Sequence, residues 1–409
     1  MPRLLALVIS LLAVPALAQD TVKIALTGPY SGGSAPMGAS TRDGSKLAIA
    51  EINAAGGIPV GGKKLKIEIV ERDDEAKNER GALIAQELAA MKDLSGVIGS
   101  VNTGVVMAGD KYFQEAGITK IICPAAGSAS MTQWLTKGDK PGPERLSIFR
   151  FAAHDGIQAE LVVEEAIRRN LGKVAIFHDD TNYGVSGRDD LLDQIRKQGN
   201  KLQVVTQEKF KIGDKDMTAQ ILKARSLGAR GILIWGIGPE EAAVSNGMAK
   251  LGYKVPLIGG WTLSMSNYID NAGPNGNGTL MPQTFIEEPV TPKAKAFIEA
   301  YHKAYGVSRI PSPVSAAQGY DAVLIFAAAV KQAGSTDSLK IRDALEDLKE
   351  PVDGVIATWK KPYSRWSPTD VTTHEAFRKE QTVMGMVKDG RVVFANPADR
   401  ARFQKRGGK

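Results

Sequence analysis

Residues 22–57 read VKIALTGPYSGGSAPMGASTRDGSKLAIAEINAAGG. An apolar run, Val22-Lys-Ile-Ala-Leu26, has the composition of a strand. The Gly, Ser and Pro residues from Gly28 to Gly38 form a loop, because these residues punctuate regular structure. A helix follows to about Ala54, and Gly56-Gly57 stops it. Strand, loop and helix in that order open an α/β fold.

The same grammar continues outward. Leu65, Ile67 and Ile69 alternate with Lys66 and Glu68, a strand with one wet face. Residues 78–91 carry Ile84, Leu88 and Met91 at helical spacing. Strands are expected at 96–99 and 119–123, with a helix over 105–116 between them. A second unit alternates helices at 158–169, 186–198, 217–227 and 239–251 with strands at 173–178, 202–207, 231–235 and 257–260. Such alternation gives a parallel sheet with helices on both faces. Later come helices at 292–305, 316–332 and 338–348, and a hairpin of 381–387 with 391–394 around Asp389-Gly390. Residues 147–151 and 281–285 read as crossings between the units. No repeat of 20–50 residues is present.

The chain has 409 residues, 43% of them hydrophobic, which supports two domains rather than one. Residues 1–18 combine Arg3, an apolar run over 4–14 and Ala16-Leu-Ala18, the layout of a cleaved signal peptide. The mature chain is therefore expected to be exported, periplasmic and soluble. The single cysteine, Cys123, lies far from that leader, so no lipid anchor is expected, and it reads as a small buried hydrophobe. His154, His178, His302 and His374 are scattered, so no metal and no cofactor is expected. The net charge of +7 is dispersed apart from a basic tail over 396–409, expected to be frayed and solvated. Export makes nucleic acid an unexpected partner.

The loop from Gly28 to Gly38 holds neither G-x-G-x-x-G nor Gly-Lys-Ser/Thr, so it is not a phosphate cradle. No G-x-S-x-G elbow is present, and Cys123 has no histidine beside it, which argues against a hydrolase. The acidic runs Asp73-Asp74-Glu75, Asp179-Asp180 and Asp189-Asp190 read as solvated turns or helix starts. More informative are loops at strand C-termini, where open α/β sheets bind ligands. Residues 99–104 (GSVNTG), 124–128 (PAAGS), 178–184 (HDDTNYG), 235–239 (WGIGP) and 259–262 (GGWT) occupy that place, divided between the two units. Small residues there let a ligand approach backbone amides, and hydroxyls and aromatics orient it.

Residues 22–58, Val97-Ile-Gly-Ser100, Pro124-Ala-Ala, Tyr183-Gly184 and Gln318-Gly-Tyr-Asp-Ala322, in that order, resemble a type I periplasmic binding protein of the branched-chain amino acid ABC-importer group. The resemblance covers nearly the whole mature chain. It implies two Rossmann-like lobes with parallel sheets, joined by three crossover segments, closing on a small-molecule ligand and then presented to a membrane permease. On this reading lobe one is 19–148 with 284–361, lobe two is 149–283 with 362–395, and a monomer is expected. It implies Thr103, with Asn102 beside it, as the carboxylate anchor, backbone groups of Ala125 and Gly127, and Ser128. Tyr183, Ile237, Gly238 and Trp261 line the other lobe, and Met37 reaches the ligand from the first loop. The family's amino-acid binders place an acid near Trp261, whereas residues 258–265 here read IGGWTLSM. That departure favours an aromatic or aliphatic organic acid over an amino acid, unless Asp179 or Glu240 supplies the charge. A sensor module feeding a signalling partner is the alternative.

Overall fold

The computed structural model describes residues 21–406; the expected leader and residues 407–409 lie outside them. β1 (Thr21–Gly28) is sealed on both faces, as a central parallel strand must be, which is why it reads as a nearly unbroken apolar run. It pairs in parallel with β3 (Lys63–Asp73) and with β4 (Leu94–Ile98). β5 (Lys120–Ile122) and β6 (Ile148–Arg150) extend one side, and the short antiparallel β2 (Ile58–Val60) closes the other. The sheet has six strands in the order β2-β3-β1-β4-β5-β6. Helices α1 (Ala35–Ala54), α2 (Asn78–Ala89) and α3 (Thr103–Ala116) make its connections, followed by the short α4 (Ala129–Thr132).

The chain then crosses into a second sheet. Helix α5 (Asp155–Arg168) leads to β7 (Lys173–Asp179), α6 (Asn182–Lys197) and β8 (Gln203–Phe210). Next come α7 (Thr218–Ser226), β9 (Ile232–Trp235), α8 (Pro239–Lys250), β10 (Leu257–Gly259), α9 (Ser266–Ala272) and β11 (Leu280–Gln283). After β11 the chain returns to the first lobe as α10 (Pro292–Tyr305), α11 (Pro313–Ala333), α12 (Ser338–Glu346) and the small ribbon of β12 (Val352–Asp353) and β13 (Thr358–Trp359). It crosses back to add β14 (Val383–Lys388) and β15 (Arg391–Phe394), and ends in α13 (Pro397–Arg406). The second sheet has seven strands, β15-β14-β11-β10-β9-β7-β8, with the late hairpin antiparallel at its edge.

Helix α11 is long and apolar enough to cross a membrane, yet most of it is buried in the first lobe, where it is a core helix. It lies unusually close to α1. A Cβ on Gly44 would stand 2.0 Å from Ala316 O, and one on Gly319 would stand 2.3 Å from Thr41 O. Ser45 Oγ donates to Thr41 O and Gly319 O across this contact. The Asp321 carboxylate accepts from Val355 N, Ile356 N and Trp359 Nε1, which ties the β12–β13 ribbon to α11. The motif Gln318-Gly-Tyr-Asp is thus partly explained by packing: Gly319 admits α1, and Asp321 anchors the ribbon.

Three expectations need correction. The tail is not frayed as far as Arg406: α13 forms there and buries Phe403 against Phe394, with ring centroids 5.6 Å apart. Its apolar anchor outweighs the surrounding basic residues. Tyr363, Trp366 and Phe377, placed in lobe two on the sequence reading, pack into the cores of the first lobe. Helix α6 starts before the expected Ser186, because the Thr181 hydroxyl caps it by accepting from Gly184 N. Tyr183 is therefore on a helix and not in a loop.

Candidate ligand cleft

The C-terminal ends of β4, β7, β9 and β10 face one another between the lobes. Asn102 and Thr103 begin α3 immediately beyond β4, and Asn102 Nδ2 donates to Ser34 Oγ just ahead of α1. On the second lobe Tyr183 stands in the first turn of α6, and Trp261 follows β10. These groups meet around a small, nearly filled cavity lined by Met37, Val101, Asn102, Thr103, Ala126, Tyr183, Ile237, Trp261 and Thr262. Six sequence-derived candidates line it: Met37, Asn102, Thr103, Tyr183, Ile237 and Trp261.

The other four lie outside that wall. Ala125 is turned into the first lobe's core. Gly127 packs against Thr103, where a Cβ would stand 2.4 Å from the Thr103 hydroxyl. Ser128 Oγ donates to Asp190 Oδ2 of α6, 2.7 Å away across the lobes. Gly238, at φ 79°, lies against the Gly33 carbonyl of the opposite lobe, and Asn267 Nδ2 donates to that carbonyl at 2.8 Å. These contacts join the lobes, so the structure is closed.

The wall is polar without being charged. Thr103 Oγ1, Asn102 Oδ1 and Trp261 Nε1 are buried with no hydrogen-bond partner among the described residues. Natural proteins leave few such atoms, since each costs about 1–3 kcal/mol when desolvated. Among the described residues, no Asp, Glu, Lys or Arg lines the cavity. Neither acid proposed from sequence reaches it. Glu240 accepts from Gly213 N at 2.6 Å, and Asp179 is committed to Thr181 through Oδ1. Glu241, missed from sequence, stands one layer back: it is fully buried behind Thr262, whose Oγ1 lies 3.4 Å from Glu241 Oε1. Burial first, then the charge of Asp179, holds the Glu241 carboxyl well above the usual range. Burial likewise pushes the Tyr183 phenol up, followed by the charges of Asp155 and Glu241. The acidic runs are less solvated than they read, because Asp74, Asp179 and Asp190 are all raised by burial to about 6.

The loop carrying Ala126 is held from below. Arg150 is buried at the end of β6, and its Nη1 donates to Ala126 O, Gly127 O and Ser130 Oγ at 3.1, 2.7 and 3.0 Å. Its other face pairs with the buried Glu375, with Nε 2.8 Å from Oε2. A second small cavity adjoins the first; Ala126 and Trp261 belong to both walls. Gln158, Thr284, Val314, Gln318 and Thr382 line it, and sequence reasoning missed all of them as site residues. Gln318 was visible only as part of a motif.

The sequence model of the periplasmic binding protein family matches residues 21–373. The chain belongs to this family. A Leu/Ile/Val-binding protein homologue of Brucella melitensis is 28% identical over 339 residues, covering 82% of this chain and 86% of that one. A type 1 periplasmic binding protein from Bordetella pertussis shares the fold with a TM-score of 0.77 at 27% identity, over 92% of this chain and 99% of the other. An ABC-transporter solute-binding protein of R. palustris, solved with benzoate, matches with a TM-score of 0.73 at 21% identity, over 92% and 96% of the chains. The resemblance to the branched-chain amino acid ABC-importer group therefore stands.

Proposed function

We propose that this chain is the exported, soluble solute-binding component of an ABC importer. It captures a small carboxylate between its lobes and presents the closed form to a membrane permease. Aromatic or aliphatic organic acids are its favoured ligands, ahead of branched-chain or other amino acids. Capture is passive and needs no chemistry. Thr103 anchors the carboxylate, with backbone groups at the start of α3, and Met37, Val101, Ile237 and Trp261 enclose an apolar body.

One observation supports the choice of ligand class: the cavity wall has unpartnered neutral polar atoms but no acid. A buried ammonium without a partner costs several kcal/mol. Glu241 is separated from the cavity by Thr262 and is itself biased toward the neutral form. A thermal-shift screen of the mature protein against amino acids, aromatic acids and aliphatic acids tests this, because ligands raise the melting temperature by mass action. The expected hits are acids without an ammonium. Stabilisation by leucine or valine alone would refute the reading.

A further inference from the structure

The second cavity lies where the three connections between the lobes converge. Ala152 and Ala153 follow β6, Pro282 and Thr284 close and follow β11, and Thr382 precedes β14. Its polar residues form a satisfied frame and an unsatisfied face. Gln158 Nε2 donates to Ala153 O at 2.8 Å, and its Oε1 accepts from Trp261 N at 3.0 Å. Gln318 Nε2 donates to Thr284 Oγ1 at 3.1 Å. Gln318 Oε1 and Thr382 Oγ1 have no partner although both residues are 2% exposed, and Trp261 Nε1, in the shared wall, has none either.

These atoms have complementary needs. The Gln318 carbonyl only accepts, the Trp261 indole N–H only donates, and the Thr382 hydroxyl does both. One group serves all three chemistries: a hydroxyl, which donates and accepts at once. We propose that this hinge-side cavity is a hydroxyl-recognising subsite, and that the preferred ligand is a hydroxylated carboxylic acid. Its carboxylate sits at Thr103, its apolar body lies along Trp261 and Ala126, and its hydroxyl meets Gln318 and Thr382. The assignment rests on the carboxylate reading above and adds the opposite end of the ligand. A site built to bond a hydroxyl discriminates strongly against the analogue lacking it, because its own polar groups are then left unpaired.

Isothermal titration calorimetry on matched acid pairs tests this: 3- and 4-hydroxybenzoate against benzoate, and 4-hydroxycyclohexanecarboxylate against cyclohexanecarboxylate. At least one hydroxylated acid should bind roughly tenfold or more tighter than its parent, the scale of one well-made buried hydrogen bond. Gln318→Met and Thr382→Val should lose that preference, so that hydroxylated and parent acids bind within about twofold of each other, under about 0.5 kcal/mol. Equal binding within every pair would overturn the subsite and leave the carboxylate reading standing, with the cavity holding only water. Binding of no acid at all would overturn both. A preference that survives in both folded variants would also overturn the subsite. The wild-type pairs decide the question even where a variant does not fold.

Discussion

Ser128 of the first lobe and Asp190 of the second are joined by a hydrogen bond of 2.7 Å across the cleft. Burial raises the Asp190 carboxyl to about 6 in this closed arrangement, and the Ser128 bond only partly offsets that. An acid raised on closing binds its proton more tightly when closed, so protonation favours closure and rising pH opposes it. Between about pH 4 and pH 6, ligand affinity should weaken as pH rises. Asp190→Asn keeps an acceptor for Ser128 and should flatten the profile. Ser128→Ala should weaken binding about fivefold, for a bond worth about 1 kcal/mol. Calorimetric affinities across this pH range check both; an unchanged profile in Asp190→Asn would remove the latch.

Thr103 separates affinity from stability. Its hydroxyl is buried with no hydrogen-bond partner among the described residues, so Thr103→Val removes a desolvated group at nearly constant shape. The unliganded melting temperature should hold or rise. Affinity for a carboxylate should fall about tenfold or more, as expected for losing a hydrogen bond to a charged group. Differential scanning calorimetry and titration on the same samples give both numbers.

Glu241 bears on the ligand class. Its carboxyl is held well above the ordinary 4.5 by burial, so the native state binds this proton more tightly than the unfolded chain. Its contribution to stability is therefore lost as pH rises above about 4.5. Glu241→Gln should reduce this decline and raise the melting temperature at pH 7, while affinity for organic acids stays within about threefold of wild type, under about 1 kcal/mol. A loss of about 100-fold, equivalent to almost 3 kcal/mol, would mean that the ligand carries a cation and pairs with Glu241.

Arg150 links the core to the site. Arg150→Met leaves Glu375 buried without its partner, and breaking such a pair costs about 3–5 kcal/mol. It also frees the carbonyls of Ala126 and Gly127, so the surviving folded protein should bind ligand more weakly than Thr103→Val does. Chemical denaturation measures the first effect, and titration under native conditions the second. Removing the charge at both ends, with Arg150→Met and Glu375→Leu together, should recover part of the stability but not the affinity.

Much of the scaffold was legible as pattern. Period-2 and helical spacing, with punctuation by residues such as Gly56-Gly57, Gly117 and Pro239, located most strands and helices of both sheets within a few residues. Local backbone preference and one-sided burial act over short stretches of chain, so they leave marks in the order of residues. The alternation also marked the strand ends around residues 99–104, 178–184 and 259–262, and the family resemblance singled out Thr103, Tyr183 and Trp261 within them. What the sequence did not disclose was how groups far apart in it meet. The Glu241 carboxyl behind Thr262, the Arg150 support beneath Ala126, Ser128 turned to Asp190, and Gln318 beside Thr382 at the hinge all depend on the relative placement of the two sheets. Only tertiary packing decides which polar atoms are sealed from water and which of those lack a partner, and those atoms set the chemistry of the ligand.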